Sequence, residues 1–286
     1  MINKLDGQDA INVTTSKGNQ IKYKKENIWY KGDYLGFEGA AESVVSRLVL
    51  KNCLLPHLIY TPCKFYVGKK LETGCSSPDM LQDDEELVTA YKLIEKEKGI
   101  NIAKYLTGHE TSEKIHIFVN MISDITNIDA DTIIFYLTGL LELDAATFND
   151  DRHFNNICFI RDKDGKYRFS PIFDNGGAFL SDMYTYGEPG SMDSYNTVIK
   201  AKPFDTDIDI ELDAMELMNH GQAIQLYIPE EKEIYDLLVD YYPAPVIEQI
   251  NTLLRETFRK YNYLYADTPK DIPDCFQNDS LYRPLD

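Results

Sequence analysis

Apolar residues change their spacing along the chain near residue 80. Before that point short runs of β-branched and aromatic residues dominate, and after it the spacing is mainly three and four. "NQIKYKK" and "NIWYKG" predict a hairpin closed at Glu26-Asn27, and "LIYTPCKFYVGKKLETGC" predicts two more strands around Gly68. One helix interrupts them. In "EGAAESVVSRLVLKN" the residues Ala41, Val44, Val45, Leu48 and Val49 share one face.

Beyond "SSPD" helices prevail. "DDEELVTAYKLIEKEKG" starts with acids and ends with lysines and Gly99, which predicts one helix with Leu87, Tyr91 and Ile94 as its buried stripe. "SEKIHIFVNMISDI" and "DADTIIFYLTGLLELD" keep the period, the second with Ile133, Leu137, Leu140 and Leu141 on one face. "NICFI", "KYRFS" and "PIF" read as short strands, the first two joined by the turn "DKDGK". Residues 178 to about 205 read as a long mobile loop. Helices are expected at roughly 207–219, 230–241 and 243–262, and then an extended tail. The pattern implies an α+β fold in two lobes. Residues 1–80 form a small β-rich lobe with one helix, and 81–286 a larger, mostly helical lobe.

A chain of 286 residues, 43% of them hydrophobic, can bury a sizeable core. Its formal net charge of -18 would repel phosphate backbones and anionic lipid, so neither a nucleic-acid nor a membrane partner is expected. No run approaches the roughly 20 apolar residues of a membrane span, and "MINKLDGQDAINV" lacks a signal-peptide pattern. A cytoplasmic location is the expectation. The five cysteines (Cys53, Cys63, Cys75, Cys158 and Cys275) show no zinc or redox spacing, so they read as reduced, mostly buried thiols.

The candidate chemistry lies at "NDDRHFNNICFI", residues 149–160, where a dense polar cluster turns abruptly apolar. Asp174 follows "SPIF" and precedes Asn175-Gly176-Gly177. Two strands joined by a hairpin would bring the ends of this segment together, so that Asp151, Asn156 and Asp174 converge. An acid for a substrate hydroxyl, with an asparagine and a second acid for Mg²⁺, is the set that phosphoryl transfer uses. The glycines after Asp174 are expected to turn the backbone where a side chain would collide with nucleotide. Asp151 and Asp174 both fall in polar loops, so replacing either is expected to spare the fold.

"DRHFNN" and "PIFDNG" resemble the catalytic loop and the metal-binding motif of the HipA-like serine/threonine kinases of bacteria. "WYKGDYLGFEGAAESVVSRLV" is similar to the strand lysine and following helix of compact members lacking the N-terminal subdomain of HipA toxins, and "TTSKGNQIKY" falls where they carry a phosphate-covering loop. "GCSS" and "KPF" add to the likeness, which covers most of residues 12–205. It implies a protein-kinase-like fold that uses ATP and Mg²⁺ to phosphorylate a protein acceptor, with an antitoxin-like or regulatory protein as a further candidate partner.

The resemblance gives Asp151 the acceptor hydroxyl, Asn156 and Asp174 the Mg²⁺, and Lys31 the nucleotide phosphates. Glu38 and Glu42 are the candidates to steady Lys31, with Glu42 preferred. Arg152 and His153 would brace the loop and line the nucleotide's edge, with adenine near Glu72 to Cys75. Ser16 and Gly18 would lie in the phosphate loop, and Ser16 is the candidate for self-phosphorylation, with Thr14 and Thr15 as competitors. Two alternatives stand beside this reading. One is a kinase-fold enzyme that acts on a small molecule or transfers AMP, and the other is a nucleotide-sensing interaction protein without turnover.

Overall fold

The computed structural model of the chain describes residues 3–5, 10–11, 22–49, 55–191 and 200–266. Its small lobe is a six-stranded sheet in the order β1-β5-β6-β4-β3-β2. The strands are β1 (Asn3–Leu5), β2 (Ala10–Ile11), β3 (Lys22–Lys25), β4 (Ile28–Gly32), β5 (Thr61–Val67) and β6 (Lys70–Pro78). β1 runs parallel to β5, and the other pairs are antiparallel. Both predicted hairpins form. Glu26 takes a left-handed conformation (φ 56°) in the tight turn after β3, and Gly68 (φ 60°) does so between β5 and β6.

Helix α1 (Glu38–Val49) is buried almost all round, from Gly39 to Val49 except Arg47, and not on one face alone. The sheet covers one side, while the other belongs to the core of the large lobe. Contact with β6 is close. A Cβ on Gly39 would lie 2.6 Å from the Gly74 Cα, so only glycines let this helix approach the strand.

The chain leaves the sheet after Pro78. Residues 86–89 then form a strand, β7 (Glu86–Thr89), which pairs with β8 (Cys158–Arg161). The single helix expected over this stretch is therefore shorter: α2 (Ala90–Lys98) starts at Thr89, whose side chain accepts the Lys92 N–H. Leu87 belongs to the strand, opposite Ile160. Its β-branched neighbours Val88 and Thr89 favour that state, and the acids before it lie outside the helix. Gly99 ends α2 in a left-handed conformation, as a C-terminal glycine does.

α3 (Ile102–Tyr105) and α4 (Thr111–Thr126) lead to α5 (Ala130–Thr147), which is buried on all sides through its second half and forms the axis of the large lobe. β8 and β9 (Tyr167–Phe169) form the predicted hairpin. Among the described residues "PIF" makes one isolated bridge, between Ile172 and His57. The segment from 178, expected to be mobile, is packed where it begins. Ala178, Phe179 and Leu180 are buried in a 3-10 turn, and α6 (Met183–Tyr186) follows. α7 (Ile208–Met218), α8 (Glu231–Leu238) and α9 (Ala244–Lys260) match the expected helices, and α10 (Tyr263–Ala266) follows. The tail beyond 266 lies outside the described residues, as do Thr14, Thr15, Ser16, Gly18, Cys53 and Cys275. Among the described residues no helix is long and apolar enough to cross a membrane.

Candidate active site

The small lobe supplies a charged strand pair. β4 alternates, sending Tyr30 into a cluster with Tyr23 and Phe65 and Lys31 to the opposite face. The Lys31 Nζ stands 2.7 Å from Glu42 Oε1 and 2.9 Å from Asp174 Oδ1. Glu42 Oε2 accepts the Asn175 N–H at 3.0 Å, so one helix residue touches both the strand lysine and the loop of the large lobe. Glu38 does something else. Its carboxylate accepts the backbone N–H groups of Tyr34, Leu35 and Gly36 ahead of α1.

A second lysine, absent from the sequence-based set, lies beside the first. Lys22 is directly opposite Lys31 in the β3–β4 register and 3.9 Å from the same Asp174 oxygen. Both lysines are buried, with relative exposures of 9% and 7%. The two-residue turn at Glu26-Asn27 fixes this pairing, so the hairpin pattern contained the signal.

The large lobe supplies two loops held by one arginine. α5 ends at Phe148 in a left-handed conformation (φ 52°), and Asn149 donates to the Asp144 carboxylate at 2.7 Å. Arg152 is fully buried and forks onto Asp144 at 2.8 and 2.9 Å. Its remaining N–H groups reach the Asn175 Oδ1 at 2.6 Å and the Phe173 carbonyl at 3.0 Å. The loop carrying Asp151 is thus tied to the loop carrying Asp174. Asn156 donates from Nδ2 to the Asp151 carbonyl at 3.0 Å, which orients its amide. Asp174 sits at φ 60°, a conformation that aspartate tolerates better than most residues.

These groups surround a cavity of about 340 Å³, within the range of small-molecule sites. Lys31, Glu42, Asp151, Asn156 and Asp174 all line it. Cys75 forms part of its wall, whereas Glu72 is ion-paired with Lys70 at 2.8 Å. Residues 72–75 are the interior of β6 and not the passage between lobes, which follows Pro78. Gly177 serves the protein's own packing: a Cβ there would meet Asn149 Oδ1 at 2.7 Å and Asp151 Cβ at 3.1 Å. At Gly176 the neighbour is the Glu38 Cβ, at 3.2 Å. The glycines therefore make room for the catalytic-loop candidates and α1, and both also line the cavity.

Electrostatics follow from burial and pairing. Burial alone would lower the Lys31 pKa, but the Asp174 and Glu42 carboxylates outweigh it and hold the ammonium well above its usual value. Burial likewise pushes Asp174 up, and Lys22 with Lys31 more than reverses this, leaving it far below the carboxylate range. At Lys22 the pull of Asp174 is overcome by burial and the adjacent Lys31 charge, so its pKa is lowered. Burial also depresses His153 despite the nearby Asp151, and its Nδ1 has no partner in another described residue. Burial raises the Cys75 and Cys158 thiols, which keeps both neutral, Cys75 at the cavity wall.

The donor set suits magnesium with a polyphosphate. Among the described residues six carboxylates and two lysines line the cavity, a balance that disfavours a bare triphosphate and favours one neutralised by a divalent cation. Among the described residues no three His, Cys, Asp or Glu side chains form a metal cluster. One carboxylate and one amide leave the remaining positions to phosphate oxygens and water, which is how Mg²⁺ is usually held.

No family model and no curated protein sequence matches the chain. Among solved structures, it is similar to the Helicobacter pylori proinflammatory kinase CtkA, with a TM-score of 0.60 and 17% identity over 92% of this chain and 96% of that one. HipA of Shewanella oneidensis MR-1, solved with HipB and operator DNA, aligns with a TM-score of 0.46 and 12% identity. That alignment covers 88% of this chain and 62% of HipA, and is too loose to carry an argument. The architecture implied by the kinase resemblance is the one found: the chain has an α+β, two-lobed kinase fold shared with CtkA.

Proposed function

We propose that the chain is a phosphotransferase that uses ATP and Mg²⁺ to phosphorylate a serine or threonine hydroxyl of a protein. The carrying observation is the convergence of Lys31, Glu42, Asp174, Asn156 and Asp151, drawn from both lobes, on one cavity. Lys31 would hold nucleotide phosphates, with Glu42 fixing it and Lys22 adding positive charge beside Asp174. Asn156 and Asp174 would hold Mg²⁺, which when bound neutralises charge on the transferring phosphoryl group. Asp151, with its side chain about half exposed, would orient the acceptor hydroxyl and take its proton. Arg152 stays a structural brace. Ser16, six residues before Lys22, is the proposed self-phosphorylation site.

The test is transfer of labelled γ-phosphate into the protein itself and into a cell lysate, with Asp151→Asn as control. Incorporation that depends on Asp151 and Mg²⁺ supports the reading. An acceptor that gains the mass of a nucleotidyl group, or an Asp151→Asn chain that transfers normally, overturns it. Intact mass after incubation with Mg-ATP, compared with a Ser16→Ala chain, tests the self-phosphorylation site.

A further inference from the structure

Lys202 is a cation that neither the strand lysines nor the catalytic loop accounts for. It lines the same cavity, and its Nζ stands 2.9 Å from Asp151 Oδ1. At a surface such a pair would mean little, because exposed ion pairs contribute almost nothing to stability. What sets this one apart is the way its backbone is fixed.

Two buried residues flank the lysine: Ala201 before it and Phe204 shortly after. The Phe204 N–H donates to the buried Glu211 carboxylate at 2.6 Å, and the Phe204 carbonyl accepts from Lys114 Nζ at 2.7 Å. Asp205 is bonded by the Thr111 hydroxyl. The Phe204 ring packs edge-on to Phe154 at 5.7 Å and Phe118 at 5.4 Å between centroids. Phe154 belongs to the loop that carries Asp151, three residues on. The segment bearing Lys202 and the loop bearing Asp151 are therefore built on one aromatic cluster, which fixes the two backbones relative to each other.

We propose that Lys202 is a positioning residue for Asp151: it anchors Oδ1 and directs Oδ2 toward the acceptor hydroxyl. This rests on the phosphotransferase reading above. In that reaction the acceptor O–H gives its proton to Asp151, and the acceptor oxygen forms a bond to the γ-phosphorus. The bond from that phosphorus to the bridging oxygen breaks, with its electron pair leaving on ADP. A carboxylate free to rotate would meet the hydroxyl in fewer productive encounters, so its anchor affects the chemical step and not nucleotide binding.

The experiment compares wild-type, Lys202→Met, Lys202→Arg and Asp151→Asn chains in steady-state phosphate transfer, with urea unfolding of each. Lys202→Met should lower kcat about a hundredfold while the KM for ATP changes less than about twofold. Its unfolding midpoint should match wild type, since the pair is half exposed. Lys202→Arg, which keeps the cation, should recover kcat to within about tenfold of wild type. A Lys202→Met chain with kcat within about threefold of wild type overturns the proposal and leaves the kinase reading standing. So does a loss confined to the KM for ATP, or an Arg variant no better than Met. A wild-type chain that transfers no phosphate to any acceptor overturns the kinase reading, and this proposal with it.

Discussion

Glu42 holds Lys31 with one carboxylate oxygen, at 2.7 Å, and the Asn175 N–H with the other, at 3.0 Å. One side chain therefore fixes the strand lysine and the loop after Asp174 relative to each other. Glu42→Gln keeps the shape and removes the charge. We expect kcat/KM for ATP to fall about a hundredfold, the equivalent of one charged hydrogen bond of about 2–3 kcal/mol. Steady-state kinetics on folded protein checks it.

Asp151 and Asp174 part company on stability. The sequence places both in polar loops, but Asp174 is enclosed by Lys22, Lys31 and Arg152, whereas the Asp151 side chain is 53% exposed. Asp151→Asn should change unfolding free energy by less than about 0.5 kcal/mol. Asp174→Asn leaves two buried ammonium groups short of their counter-charge and should cost about 3 kcal/mol or more. Both should lower phosphate transfer by about a thousandfold. Urea unfolding curves for the two variants should therefore separate while their activities coincide.

Glu211 makes stability depend on pH. Burial, and then the nearby Asp144 charge, raise its pKa from 4.5 to about 8, against the opposing bonds from Phe204 and Asp205 N–H. A raised folded-state value means that the folded chain binds more protons than the unfolded one between these limits. The stabilisation is complete below about pH 4.5 and is lost as pH rises through about 8. Glu211→Gln should flatten that slope, each pKa unit being worth about 1.4 kcal/mol. Unfolding measured at intervals from pH 5 to pH 8 checks it, and an unchanged slope would refute the assignment.

Gly177→Ala tests the close approach of the two loops. Its methyl would press on Asn149 and Asp151, at 2.7 and 3.1 Å, so the Asp151 loop must shift. The expected result is an activity loss of about tenfold to a hundredfold, with nucleotide binding retained, as titration calorimetry would show.

Much of the site could be read from the sequence because its chemistry is local. "DRHFNN" and "PIFDNG" each occupy a few adjacent positions, and one hairpin brings them together. The periods of a strand and a helix place Lys31 and Glu42 on their elements, and the family resemblance singles out the lysine that Glu42 steadies. Lys22 was missed because "KYKK" looks like a solvated strand. Only the register that follows from the Glu26-Asn27 turn puts it opposite Lys31. Lys202 falls in the "KPF" singled out in the sequence, but its pairing with Asp151 was not legible there, because the partner lies 51 positions away and no period connects a loop lysine to a loop aspartate. The β7 strand was misread because four residues of acidic and apolar character before a helix look like its first turn until a partner strand is known.

The Arg152 staple has a mechanical consequence. Among the described residues every hydrogen bond it makes stays inside the larger lobe, from Asp144 to Asn156, Phe173 and Asn175. Any hinge motion of the sheet would leave Asp151, Asn156 and Asp174 together as a single jaw. Gating by such motion would then come down to whether the opposing jaw, with its ammonium groups, meets this one.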